Sequence, residues 1–200
     1  MKIFVSGTNT NVGKTHFCAL LSKYYKNMKK SVIYIKIIQT GYPDDDDAKS
    51  VYEASKIETQ TLLFGKEPVA PYFLYENFPM DFVIDKINKS KADVVIIEGS
   101  GGLLVPLDKS HTFADLVGLL NLETIIVVPN KLGCINDTLL NLYYCKTKGI
   151  NLRGFALNDY FFDGNDNFVA LQDLTNYAFR YKFKTELEVL WISQKCDPED

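Results

Sequence analysis

A short glycine-rich segment between an apolar run and a helical pattern constrains this chain more than any other feature. The segment spans residues 7–15, after the apolar run 3–5 and before a helical pattern over 17–28. A glycine-rich turn that opens a helix presents backbone N–H groups and the positive helix end to phosphates. Lys14 is then placed to reach the β- and γ-phosphates of a nucleotide, and the Thr15 hydroxyl to ligate Mg²⁺. An accidental glycine turn is the alternative interpretation.

Further apolar runs, separated by helical patterns, predict an α/β fold with an open, mainly parallel sheet. The runs are continuous rather than alternating, which is typical of strands buried on both faces. The predicted strands are 3–5, 32–35, 94–97, 124–128, 155–157 and 187–192, and the later helices are 82–90, 113–121, 134–148 and 166–180. Strand–helix–strand spacing implies right-handed crossovers, helices on both faces and a Rossmann-like three-layer architecture. Ligands bind such sheets at the carboxyl ends of the strands.

Length, charge and cysteine usage limit the classes of protein to which the chain can belong. Its 200 residues and 46% apolar content suit one domain over residues 1–200, with a frayed polar tail at 193–200. A net charge of −3 argues against a basic nucleic-acid surface. No apolar run approaches the roughly 18 residues of a membrane span, and the start MKIFVSGTN does not resemble a signal peptide. Four scattered cysteines without C-x-x-C pairing suggest reduced thiols in a cytoplasmic protein.

Charged residues after the second and third predicted strands add to the phosphate site. A lysine at the position of Lys36 is costly to bury unless it faces an anion or a carboxylate; otherwise it reaches solvent at the sheet edge. Glu98 leaves a buried strand before the glycine loop 99–102, where it suits a second Mg²⁺ ligand or merely caps the loop. Together with Lys14, these residues predict a Mg²⁺-dependent nucleoside-triphosphate site. Two lysines imply more developing negative charge than hydrolysis by water needs.

Three further segments have chemistry that the residues alone leave open. The run 44–47 of four aspartates is a solvated loop or contributes an oxygen ligand for Mg²⁺. The helix start 133–136 suits a substrate carboxylate, because backbone N–H groups and the helix dipole favour anions there. Asn158 and Asp159 offer groups for a nucleobase edge, or form an ordinary turn.

Taken together, these segments resemble the dethiobiotin synthase family of P-loop enzymes. They follow one another in the family's order and cover roughly residues 3 to 160. The matching segments are Gly7-Thr8-x-Thr10-x-Val12-Gly13-Lys14-Thr15, Lys36-x-x-x-Thr40-Gly41, Glu98-Gly99-x-Gly101-Gly102, Pro106-Leu107, Phe113-Ala114-Asp115, Lys131-Leu132-Gly133-Cys134-Ile135-Asn136 and Asn158-Asp159. Any one segment is a modest signal, but the series in order is highly specific.

The resemblance implies a homodimeric ligase of biotin biosynthesis. Such an enzyme converts 7,8-diaminononanoate, CO₂ or bicarbonate, and ATP into dethiobiotin, ADP and phosphate, with Mg²⁺. In that family the diamine captures CO₂ as a carbamate, whose oxygen attacks the γ-phosphate to give a carbamic–phosphoric anhydride. The second amine then closes the ureido ring and expels phosphate.

The resemblance also implies a role for each matched residue. Lys36 would lie near the carbamate and the γ-phosphate, Lys14 would clamp the phosphates, Thr10 would lie against the transferring group, and Thr40 would contact the substrate. The implied metal ligands are Thr15, Glu98 and Asp47, the last chosen because Ala48 follows it. The implied nucleotide contacts are Asn11, Val12, Gly13, Lys14, Thr15, His16, Asp47, Glu98, Gly99, Ser100, Gly101, Asn158, Asp159, Leu190, Trp191 and Ile192. The implied seat of the substrate carboxylate, on the opposite subunit, is Gly133, Cys134, Ile135 and Asn136.

Two positions depart from the family pattern, and one alternative function shares the fold. Asn11 stands where an acidic residue is often found, which affects the metal number or the amine contacts. The segment 190–192 replaces a Pro-Trp-Leu-like segment that closes over the base, so we expect loose base selection. The alternative is a partitioning or metal-pump-type switch ATPase, which normally carries an extra lysine where this chain has Asn9.

Overall fold

Strands and helices alternate along the part of the chain that the computed structural model describes, residues 1–165, 167–175 and 178–181. The strands are β1 (Lys2–Gly7), β2 (Val32–Thr40), β3 (Glu58–Gly65), β4 (Val94–Glu98), β5 (Glu123–Pro129), β6 (Leu152–Asn158) and β7 (Ala178–Tyr181). The helices are α1 (Lys14–Asn27), α2 (Asp47–Ser55), α3 (Met80–Lys89), α4 (Phe113–Leu120), α5 (Cys134–Lys148) and α6 (Asn167–Thr175). None of the described helices combines the length and apolarity that crossing a bilayer requires.

The seven described strands form one sheet in the order β3-β2-β4-β1-β5-β6-β7, and every neighbouring pair is parallel. β1 therefore lies at the centre, between β4 and β5. The register between β2 and β4 sets Lys36 directly beside Glu98. Because all strands point the same way, the loops after β1, β2 and β4 meet at one edge of the sheet, where ligands of such folds bind.

Both faces of the sheet are covered by helices. Side chains of β1 alternate between the two cores: Ile3 and Val5 belong to a cluster that includes Phe17 of α1. Phe4 belongs to the opposite cluster, with its ring centroid 6.1 Å from that of Phe113 in α4. The prediction of an open parallel sheet with helices on both faces is confirmed.

Several element boundaries differ from the sequence-based prediction. β2 continues to Thr40, so Lys36 lies inside the strand rather than after it. The positive charge of Lys36 suggested that the strand ended before it, but this charge is paired with Glu98 inside the protein. β3 and α2 were not predicted, because β3 is an edge strand that mixes polar and apolar residues and α2 is a short helix behind an aspartate run. The predicted helix 166–180 was too long, since the described helix ends at Thr175 and residues 178–181 form β7. The predicted strand 187–192 and tail 193–200 lie outside the described residues.

Candidate active site

The loop after β1 is tightly packed and leads directly into α1. A Cβ on Gly7 would lie 2.8 Å from the carbonyl oxygen of Asn9, so a larger residue does not fit. Gly13 immediately precedes α1 as its N-cap, with φ of 96°, a left-handed conformation that favours glycine. The Gly7 N–H donates to the carbonyl oxygen of Gly101 at 3.2 Å, which ties the loop after β1 to the loop after β4. The first turn of α1 therefore presents backbone N–H groups, at the positive end of the helix, to the crevice.

A buried ion-pair cluster joins β2 and β4 to the start of α2. The Lys36 Nζ lies 2.5 Å from Asp47 Oδ2 and 2.8 Å from Glu98 Oε1, and it also donates to the Gly99 carbonyl at 3.2 Å. Lys36 is 3% exposed and Glu98 is fully buried. Lys36 therefore does not reach solvent at the sheet edge, and each buried charge depends on its partner.

The Thr15 hydroxyl completes this cluster from the start of α1. Its Oγ1 lies 2.9 Å from Asp47 Oδ1 and 3.1 Å from Glu98 Oε1. A hydroxyl has one hydrogen, which cannot be donated to two carboxylates at once. The three residues therefore present converging oxygens that a small cation would bring together, and Mg²⁺ prefers such oxygen ligands. Thr15, Asp47 and Glu98 fit a Mg²⁺ site on this evidence.

Two lysines face the same cavity in different electrostatic environments. Burial lowers the pKa of Lys36, but Glu98 and Asp47 outweigh burial and hold the pKa above its ordinary value. Burial also lowers the pKa of Lys14. The Glu98 carboxylate opposes that shift and the Lys36 ammonium adds to it, so the pKa of Lys14 stays below its ordinary value. The Lys14 Nζ donates to the carbonyl oxygen of Asn9 at 3.1 Å. An incoming phosphate would supply Lys14 with the negative partner that Lys36 already has.

Most of the residues predicted for the site line one cavity of about 450 Å³ at the carboxyl ends of β1, β2 and β4. The predicted residues that line it are Thr10, Asn11, Gly13, Lys14, Thr15, His16, Lys36, Thr40, Asp47, Glu98, Ser100 and Gly101. Ser100 donates its hydroxyl to the Ile38 carbonyl at 3.0 Å and so ties the loop after β4 to β2. Val12 is buried behind the loop. The structure thus brings together the phosphate, metal and transfer positions that the motifs predicted separately.

Asn158 and Asp159, predicted to contact the nucleobase, are hydrogen-bonded within the chain. The Asn158 side-chain amide donates to the Val12 carbonyl at 2.9 Å, and its Oδ1 accepts the Tyr160 N–H at 3.1 Å. Asp159 Oδ1 accepts from the Asn130 side-chain amide at 2.7 Å. Asn158 is fully buried, so it anchors the end of β6 to the phosphate loop. The predicted base contacts Leu190, Trp191 and Ile192 lie outside the described residues.

The predicted seat of the substrate carboxylate is a separate helix start. Gly133, with φ of 93°, is the N-cap of α5, and neither it nor Cys134, Ile135 or Asn136 lines the cavity of this chain. The nearby Leu132 N–H donates to Asp163 Oδ2 at 2.6 Å. A ligand bound in the cavity of the same chain therefore does not contact these four residues.

Gln39 and Tyr34 were not predicted as site residues from the sequence, and Asp45 was predicted only as one member of the aspartate run 44–47. Gln39 and Asp45 line the cavity, and the Gln39 Oε1 accepts the Asp47 N–H at 3.0 Å, which holds the start of α2. Tyr34 lies two residues before Lys36 and donates its hydroxyl to Glu98 Oε2 at 2.8 Å. The alternation of side chains along β2 was the available signal, because residues 34 and 36 share one face of a strand.

The glycine loop with its lysine and threonine, a carboxylate at the end of β4 and another at the start of α2 are the parts of a phosphate-binding site of the P-loop type. The fold and the site together define a P-loop nucleotide-binding protein. Comparison with known proteins assigns a family within this class. The AAA domain family model matches residues 1–179.

Several known proteins with similar sequences are named ATP-dependent dethiobiotin synthetase. The one from Methanocaldococcus jannaschii is 33% identical over 168 residues, covering 78% of each chain. The one from Hydrogenobaculum sp. is 33% identical over 190 residues, covering 87% of this chain and 85% of its own. The one from Lawsonia intracellularis is 36% identical over 160 residues, covering 79% of this chain and 76% of its own. The chain belongs to the dethiobiotin synthetase family and is a ligase, so the predicted resemblance is confirmed.

Solved structures agree with the fold. A plasmid partition protein from Borrelia burgdorferi superimposes with a TM-score of 0.57 at 13% identity, covering 90% of this chain and 87% of that chain. A ParA family ATPase from Chlorobium tepidum TLS gives a TM-score of 0.55 at 16% identity, covering 90% and 81%. At such identities the likeness shows a shared fold and leaves the reaction to be argued from the site.

We expect this site to discriminate weakly between nucleobases, because both polar ends of the Asn158 side chain already have partners in the chain. ATP, GTP and CTP should bind in the presence of Mg²⁺ with affinities within about tenfold of one another, or roughly 1.4 kcal/mol. Isothermal titration calorimetry with each nucleotide measures this directly. Binding of ATP alone would contradict the expectation.

Proposed function

We propose that this protein catalyses the ATP- and Mg²⁺-dependent carboxylation and ring closure of 7,8-diaminononanoate, with CO₂, to dethiobiotin, ADP and phosphate in biotin biosynthesis. The observation that carries the proposal is the meeting of Lys14 and Lys36 at one cavity beside Thr15, Asp47 and Glu98, in a chain of the dethiobiotin synthetase family. Two lysines suit a reaction in which two negative groups, a carboxylated amine and a phosphoryl group, must approach each other.

The chemistry proceeds in three balanced steps. One amine of the substrate attacks CO₂ and loses a proton to form a carbamate. A carbamate oxygen attacks the γ-phosphorus, the bond to the β–γ bridging oxygen breaks, and ADP leaves. The second amine attacks the carbamate carbon of the resulting carbamic–phosphoric anhydride and loses a proton to water, the C–O bond breaks with release of phosphate, and the ureido ring closes.

The described residues support these steps by position and charge. Lys36, held between two carboxylates at the cavity wall, would contact the carbamate and the γ-phosphate, and Lys14 would clamp the triphosphate. Thr10 and Thr40 also line the cavity, where we assign them to the transferring group and the substrate. Bound Mg²⁺ would offset negative charge on the triphosphate. Nearby cations also disfavour protonation of the substrate amines, whose neutral form must attack CO₂.

We assign the substrate carboxylate to the start of α5 in the opposite subunit of a homodimer. Gly133–Asn136 do not line the cavity of their own chain. The surface around α5 exposes apolar side chains, with Leu132 82%, Leu140 61% and Tyr143 72% exposed. A second copy of the chain would cover such a surface and bring the helix start to the partner's cavity, in keeping with a self-complementary dimer contact.

The remaining partners follow from composition. A net charge of −3 disfavours a nucleic-acid partner. The three described cysteines are free and buried, as expected of a reducing compartment. We therefore propose a cytoplasmic enzyme whose substrates are small molecules and which has no membrane or nucleic-acid partner.

Purified protein supplied with 7,8-diaminononanoate, bicarbonate, Mg²⁺ and ATP should form dethiobiotin, detected by mass spectrometry. Phosphate release should require both the diamine and bicarbonate, because the γ-phosphate is attacked by the carbamate. Phosphate release that continues unchanged without the diamine would instead support a partitioning-type switch ATPase on the same fold.

Replacing Lys36 by alanine should reduce turnover far more than nucleotide affinity, because its ammonium is needed where negative charge develops. We expect at least about a hundredfold loss of kcat, a typical cost of removing one such electrostatic group. The Kd for ATP should change by less than about threefold, as for a group acting mainly in the transition state. Lys89→Ala is the matched surface control, and circular dichroism checks that both variants are folded. Equal losses of kcat and affinity would show that Lys36 only binds.

Mixed dimers test whether the site is shared between subunits. Asn136→Asp, which adds a negative charge at the α5 start, should raise KM for the diamine without changing ATP affinity. Lys36→Ala and Asn136→Asp subunits mixed and refolded together should recover about a quarter of wild-type activity, since half the dimers contain one intact shared site. If each site belonged to a single chain, the mixture would show only the average activity of the two separate variants, measured at a diamine concentration well below the KM of Asn136→Asp.

A further inference from the structure

A buried tyrosine hydroxyl contacts the side of Glu98 that faces away from the ion-pair cluster. Tyr34 is fully buried, and its hydroxyl donates to Glu98 Oε2 at 2.8 Å. The other carboxylate oxygen, Oε1, lies 2.8 Å from the Lys36 Nζ and 3.1 Å from Thr15 Oγ1. Tyr34 thus contacts Oε2 while Lys36 and Thr15 contact Oε1, and the buried Cys18 thiol also interacts with the Glu98 carboxylate.

The sheet places the tyrosine at this position. Tyr34 and Lys36 are two residues apart on β2 and share one face, and the register sets Lys36 beside Glu98 on β4. Tyr34 belongs to the core under α1, in one cluster with Cys18 and Phe17. A phenol hydroxyl 2.8 Å from a carboxylate oxygen donates its hydrogen to that oxygen, so Tyr34 acts as the donor.

We propose that Tyr34 is a positioning residue that orients the Glu98 carboxylate for Mg²⁺ and so sets the affinity for the metal–nucleotide complex; this rests on the Mg²⁺ site of the proposed function. A carboxylate rotates about its terminal bond unless both oxygens are held. The hydrogen bond to Oε2 opposes that rotation and keeps Oε1 directed at the Thr15 hydroxyl. Without it, Oε2 would lose its hydroxyl donor, and the carboxylate would be free to rotate away from the Thr15 hydroxyl.

Tyr34→Phe tests the proposal, because it removes the hydroxyl and keeps the ring that fills the core. With Mn²⁺ as the probe and a non-hydrolysable ATP analogue, titration followed by electron paramagnetic resonance should show metal binding weakened by about tenfold, a typical loss for a residue that orients a metal ligand. Affinity for the analogue in EDTA should stay unchanged. A merely structural role would lower the melting temperature and leave the Mn²⁺ affinity as it was.

Tyr25→Phe is the matched control. Tyr25 is also a largely buried tyrosine, on α1, and its hydroxyl interacts with Arg153 rather than with a metal ligand. We expect this variant to bind Mn²⁺ as the wild type does. An equal loss of Mn²⁺ affinity in both variants would overturn the proposal, because the effect would then follow from any buried hydroxyl.

A double-mutant cycle with Glu98→Gln shows whether Tyr34 acts through Glu98. In the Glu98→Gln background, Tyr34→Phe should cause no further loss of Mn²⁺ affinity, because the carboxylate it orients is gone. Fully additive losses would overturn the proposal. A wild-type protein that bound no Mn²⁺ with the nucleotide would overturn the metal site and the role of Tyr34 together, whereas normal Mn²⁺ binding without dethiobiotin formation would overturn only the reaction.

Discussion

The buried contact between Lys36 and the carboxylates of Asp47 and Glu98 is the interaction on which the site depends. Lys36 Nζ lies within 2.8 Å of an oxygen of each carboxylate. A charge inside a protein is stable only when it is paired and hydrogen-bonded, so each of these residues needs the others in place. The cluster therefore joins β2, β4 and α2 into one wall of the cavity.

The position of that wall follows from the order of the strands. β2 and β4 are neighbours, and β1 lies next to β4 with the glycine loop at its end. The Gly7 N–H to Gly101 carbonyl bond and the Ser100 hydroxyl to Ile38 carbonyl bond hold the three loops at fixed distances. The anion-binding turn, the lysines and the oxygen ligands consequently face one space rather than three separate surfaces.

The same sheet serves proteins with different activities. The partition protein and the ParA family ATPase share the fold at 13% and 16% identity. In this chain the chemistry lies at the carboxyl edge of the sheet, where Lys36 of β2 contacts the carboxylates of Asp47 and Glu98. Function in such folds belongs to the site and not to the architecture.

The amino-acid sequence by itself determined the α/β class, the place of the phosphate loop and the family, because apolar runs and contiguous motifs are local properties of the chain. It did not reveal β3 or α2, whose residues lack a continuous apolar run. Only the tertiary structure decided that Lys36 lies between two carboxylates, that Tyr34 holds Glu98, and that Asn158 bonds to the phosphate loop. Lys36 and Glu98 are 62 residues apart, and Asn158 and Val12 are 146 apart. Contacts of that kind join segments far apart in the chain and depend on the order of the strands in the sheet, which a local pattern of residues does not specify.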